Sequence, residues 1–169
     1  EDFRQIFRLD APEDPAFLPL FAELVRIDRV VKRPTAELVA MSMALLRRHH
    51  GYRPLTNPVV RFGERFAREL PLMHERGLGY YHAWAFGTMR QLGAAFELVA
   101  ENLKWLRAHG AGDFGPAIEA FEFIGATNTA LILKVARSVN ARRALDASDT
   151  FAQMADAWDR GMAALAAEL

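Results

Sequence analysis

His82, Arg90, Gln91, Glu97 and Asn128 are the residues whose types and spacing point to chemistry. At roughly 100° per residue on an α-helix, His82, Arg90, Gly93, Glu97 and Glu101 fall within about a quarter-turn arc. They form a polar stripe beside an apolar face. An imidazole, a guanidinium and carboxylates lining a cleft suit general acid–base work, or the grip of an amine or carboxylate. The same side chains equally suit helix-to-helix ion pairs, such as Arg90 with Glu97, with His82 at the edge of the core. Asn128 shares a face with Phe121, Ile124, Ile132, Val135 and Val139, where an unpartnered amide is costly. Gln91, which also interrupts an apolar neighbourhood, is one candidate partner, in a buried structural pair or beside a substrate.

Other chemistries find little support. A di-metal bundle site needs Glu-x-x-His on two helices, and no Glu here has His three residues later. His49 and His50 are adjacent, so on a helix they diverge by about 100° and cannot grip one ion together; beside Arg47 and Arg48 they suit a helix C-terminus, where cations offset the dipole. No metal and no cofactor is expected. Cysteine is absent, which excludes a thiolate ligand or nucleophile in these residues. Ser42, Ser138 and Ser148 sit in helical or capping contexts without a Gly-x-Ser-x-Gly elbow. The run Gly110 to Gly115 lacks the Lys-Ser/Thr ending of a phosphate loop. Lys134, Arg137 and Ser138, with Thr127 and Glu119, read as a solvated charged face.

The elements that must position these residues follow from apolar periodicity. Phe3 to Leu9 alternates apolar and polar, like a short strand whose neighbour is missing. Ala11 to Pro15 is a linker, so residues 1–15 form an extended segment and 16–169 a helical domain. Ala16 to Val31 predicts a first helix. A second opens at Pro34 and Thr35, turns Leu38, Met41, Leu45 and Leu46 inward, and ends near Gly51. Asn57 before Pro58 is a strong start for a third, running through Val60, Phe62 and Phe66 until Pro71 ends or kinks it. Tyr80 to Ala108 reads as one long helix with Ala85, Met89, Leu92, Phe96, Val99 and Leu103 on its core face. A fifth spans Ala117 to about Arg143, and a sixth, capped by Ser148, reaches the C-terminus. The expected fold is all-α, an irregular bundle of about six helices with one short N-terminal strand-like segment.

A chain of 169 residues suffices for one core. Lys plus Arg and Asp plus Glu are each 21, so no net field draws the protein to nucleic acid or an anionic membrane. No apolar run approaches the roughly 20 residues of a membrane span, and the N-terminus does not read as a signal peptide. The protein reads as cytoplasmic.

Five segments in order carry a family resemblance: EDFRQIFRL at the start, Pro19 to Arg26, RRHHGYRP from Arg47 to Pro54, NPVVRF from Asn57 to Phe62, and YHAWAFGTMRQLGAAFELVAENLKWL from Tyr81 to Leu106. Together they resemble the C-terminal half of domain-of-unknown-function family 1839. The resemblance implies a bacterial protein about twice this length, whose N-terminal half resembles a papain-like or aminoglycoside-acyltransferase-like fold with a cysteine and a histidine. It further implies acyl or aminoacyl transfer from a phosphopantetheine thioester on a carrier protein. On that reading this chain begins where the upstream half ends, and it contributes substrate or carrier surface through His82, Arg90, Gln91, Glu97 and Asn128. Its partners are then an acyl carrier protein or the missing N-terminal domain. The rival expectation is a non-enzymatic helical module that docks a protein, a second copy of itself or a small molecule.

Overall fold

The computed structural model describes residues 26–169. The chain divides into two compact units after Pro34. Of the first, the described residues form a single 3-10 turn, Ile27–Arg29, in which the Arg26 Nε donates to Asp28 at 2.8 Å. The helix expected over Ala16 to Val31 therefore does not continue across its last six residues. Val30 and Val31 are β-branched, and Pro34 disfavours the α conformation for Arg33. The strand-like stretch Phe3 to Leu9, the linker and the rest of that expected helix lie outside the described residues.

The second unit, Thr35–Leu169, contains five helices and no strand among the described residues. Helix α1 is Thr35–Gly51 and α2 is Pro58–Arg76. Helix α3 runs over residues 78–108 in three pieces: an α turn Leu78–Tyr81, a π turn His82–Phe86 and the α segment Gly87–Ala108. Helix α4 is Gly115–Ala141, and α5 is Ser148–Glu168. Short connections make α3, α4 and α5 successive antiparallel neighbours, with α4 in the middle. Helix α2 packs on α5, and α1 lies lightly along α3.

Local chemistry sets the helix ends. The Asn57 side chain accepts from the amides of Val59 and Val60 while its Nδ2 donates to the Ala155 carbonyl at 2.9 Å. One residue therefore caps α2 and ties it to α5. The helix does not stop at Pro71: fully buried Met73 holds its last turn in the core, and Gly77, at φ 78°, ends it by donating to the Met73 carbonyl. At the start of α5 the N-cap position is Ala147, and it is Asp146 before it, not Ser148, that accepts the side-chain hydrogen bonds. Its carboxylate accepts from the Ser148 amide and hydroxyl at 2.9 and 2.6 Å, and these bonds hold its pKa below the usual carboxylate value.

The core is continuous. Tyr81, Phe66, Phe114, Phe121, Met89 and Met154 are fully buried, and the Tyr81 hydroxyl donates to the Ile132 carbonyl at 3.1 Å. Buried Glu69 on α2 pairs with Arg65 and accepts from the Tyr80 hydroxyl at 3.0 Å, fastening α2 to the start of α3; that bond raises the Tyr80 pKa. Helix α1 turns Val39, Met43 and Leu46 inward. Leu38, Met41 and Leu45 are instead 41, 45 and 50% exposed. Both sets have helical spacing, and the hydrogen-bonded pair of Ser42 with Asn102 on α3 selects between them.

Two tests follow from this packing. A Cβ on Gly161 would lie 2.5 Å from Phe121 and 3.1 Å from Ala120, whereas one on Gly87 meets nothing within 4 Å. Urea unfolding should show Gly161→Ala destabilised by about 1–3 kcal/mol, while Gly87→Ala is neutral or slightly stabilised. Burial, with Arg53 nearby, lowers the pKa of half-buried His50. Its folded value then lies below its unfolded value of about 6.5, so its stabilisation is complete above that pH and is lost as pH falls below it. Melting temperatures of wild type and His50→Gln should therefore converge on acidification from neutral pH, and parallel pH profiles would refute this role.

Candidate functional site

The α3–α4 crossing is close because glycines sit on both sides of it. A Cβ on Gly93 would lie 2.8 Å from the Asn128 Nδ2, and one on Gly125 would lie 3.1 Å from the Glu97 Cγ. Across this contact the Asn128 Nδ2 donates to the Met89 carbonyl at 2.6 Å. Asn128 is fully buried, and its Oδ1 has no hydrogen-bond partner. An unsatisfied buried acceptor of this kind costs about 1–3 kcal/mol. The expected pairing of Asn128 with Gln91 does not occur. Gln91 is exposed, and a backbone carbonyl takes its place.

Beside the crossing lies a groove of about 360 Å³, whose walls include Phe86, Arg90, Glu97, Asn128, Thr129 and Leu133. Arg90 lies over the Phe86 ring, 5.8 Å from its centroid. Arg90 and Glu97 form no ion pair with each other or with another residue among those described. The helix-to-helix ion pair falls two turns further on, where Lys104 binds Glu101 of its own helix and Glu122 of α4, each at 2.6 Å. The groove thus holds a cation and a carboxylate on largely apolar walls, with the buried Asn128 carboxamide beside it. Those groups can bind and orient a ligand with an anionic end and N–H donors.

Of the five residues expected at a site, the structure brings Arg90, Glu97 and Asn128 together. His82 does not line the groove, although the π turn His82–Phe86 keeps it beside Phe86. Its exposed imidazole rests against the rings of Tyr81 and Phe86, at 5.4 and 4.7 Å. Phe86, Thr129 and Leu133 were not singled out from the sequence. Phe86 carried a usable signal, since it stands four residues before Arg90.

Ser138 is not on a solvated face. It is buried, donates to the Arg143 carbonyl at 2.6 Å and lies 2.8 Å from the His74 Nε2. With the hydroxyl proton on the carbonyl, His74 is the donor to Ser138, the reverse of a nucleophile–base pair. Among the described residues no three His, Cys, Asp or Glu side chains group to hold a metal ion, and no helix is long and apolar enough to cross a membrane.

The family model described as the DUF1839 C-terminal domain matches residues 35–167. The chain belongs to the DUF1839 family. The match coincides with the second compact unit, so every residue of the groove lies in the DUF1839 C-terminal domain. No curated protein and no solved structure matches the chain.

If the glycine crossing builds the groove, Gly93→Ala should force Asn128 from its position. The expected outcome is a loss of about 1–3 kcal/mol in chemical denaturation. A variant as stable as wild type would show that the helices separate freely.

Proposed function

We propose that this DUF1839 C-terminal domain supplies binding surface, rather than the nucleophile, for an acyl or aminoacyl transfer carried out by a longer protein. The observation that carries the reading is a largely apolar groove edged by Arg90 and Glu97, neither of which is ion-paired among the described residues. Arg90 would hold an anionic end, and Glu97 would face an ammonium or an N–H. Arg90 and Glu97 are seven residues apart, so their Cα atoms are separated by about 10 Å along the helix. That span suits an elongated arm with amides and a terminal charge, such as an aminoacyl-pantetheine, better than a free amino acid. The family resemblance supports the same ligand class through its association with carrier-protein thioesters.

Non-enzymatic docking of a protein partner is the second reading. It is favoured by the exposed apolar stripe Leu38, Met41 and Leu45 on α1.

The deciding experiment uses the longer protein with Arg90→Ala and Glu97→Gln, together with thermal stabilisation of the domain by pantetheine and aminoacyl-pantetheine. Each substitution should lower kcat/KM for transfer by about tenfold or more, as for loss of a charged hydrogen bond, and should abolish stabilisation by aminoacyl-pantetheine without changing the melting temperature of the free protein. Unchanged transfer and unchanged binding would remove the groove from function and leave the docking module as the better reading.

A further inference from the structure

Between α2 and α5 lies a cavity of about 470 Å³ that the groove reading does not use. Its volume arises from sequence. Gly63 lets Phe151 pack against the α2 backbone, and the small side chains Ala67, Ala152 and Ala155 leave space beside the buried rings of Phe66 and Phe151. The mouth carries Val60, which is 45% exposed, and Glu64; the Asp146 carboxylate, also at the wall, is taken up by Ser148. Apolar walls dominate, and the size lies within the usual range for a small-molecule site.

Leu145 lines this cavity and also a second, shallower pocket. That pocket holds Lys134, Arg137 and Arg143, and none of these cations is ion-paired among the described residues. Its backbone is fixed. Arg142 adopts the left-handed conformation at φ 50° to end α4, and the Arg143 amide donates to the Ser138 carbonyl at 3.0 Å. The Arg143 carbonyl in turn accepts from the Ser138 hydroxyl, which His74 braces from α2. Three like charges gathered beside an apolar cavity repel one another unless an anion joins them.

We infer that the two pockets form one site for a small amphiphile, with its hydrocarbon chain between α2 and α5 and its anionic headgroup, carboxylate or phosphate, against Lys134, Arg137 and Arg143. The chain gains by leaving water. The headgroup gains charge-assisted hydrogen bonds where the chain emerges past Leu145. Free fatty acids and acyl phosphates share this chemistry. The site is separate from the α3–α4 groove and does not depend on its assignment.

The test is calorimetric titration of the full chain with monomeric dodecanoate, dodecyl phosphate, dodecanol and dodecyltrimethylammonium, and with vesicles of an anionic phospholipid. The two anions should bind at least tenfold more tightly than the alcohol or the cation, and their relative affinities identify the preferred headgroup. Ala67→Phe, which fills the cavity, should abolish binding. Arg137→Glu combined with Arg143→Glu, exposed changes outside the core, should remove the preference for anions while leaving the melting temperature within a few degrees. Equal affinity for all four probes, no binding of either anion, binding to vesicles alone, or full binding by the charge-reversed variant would each overturn the inference.

Discussion

The bond from the Asn128 Nδ2 to the Met89 carbonyl, made where Gly93 and Gly125 let two helices meet, is the constraint on which the described architecture depends. An amide in an apolar interface is tolerated only when its donors find acceptors. Here that requirement fixes the axial register of α4 against α3, because no other carbonyl of α3 serves the same Nδ2. With the register fixed, Phe96 meets Phe121, with ring centroids 5.3 Å apart, and Lys104 reaches Glu122. The price of the arrangement is an Oδ1 left without a partner, beside a groove whose two charges are not ion-paired among the described residues.

Helix α4 is central in a second sense. Asn128, Thr129, Ile132 and Leu133 face the groove with α3, while Lys134, Arg137 and Ser138 face the basic pocket at the helix's C-terminal end. Neighbouring turns of one rigid element thus serve two differently shaped surfaces. The flanking contacts with α3 and α5 hold it on both sides, and the Ser138 hydroxyl carries the same rigidity into the connection that bears Arg143.

Much of this was legible in the residues. Asn57 before Pro58 marks the start of α2 because cap and first helical position are local chemistry, and the core face of α3 follows from spacing alone. What failed was non-local. Helix α1 has two apolar faces of helical spacing, and only the pairing of Ser42 with Asn102, sixty residues away, decides that Met43 is buried and Met41 is not. The π turn His82–Phe86 is invisible to a count of 100° per residue, and it seats the exposed His82 imidazole against Phe86. A sequence displays side chains, yet the partner of Asn128 is a backbone carbonyl reached through the gap left by Gly93. Lys134 and Arg137 are solvated and so point to a solvated Ser138; the carbonyl that takes its hydroxyl belongs to Arg143, beyond the helix end.

Hydrogen exchange of the Asn128 side-chain carboxamide, followed by nuclear magnetic resonance, tests the central claim most directly. A carboxamide sealed in the α3–α4 crossing and donating to Met89 should exchange as slowly as the backbone amides of the same turn of α4. Exchange at the rate of an exposed asparagine would contradict the account, since the crossing, its register and the groove beside it would then lack the bond that holds them.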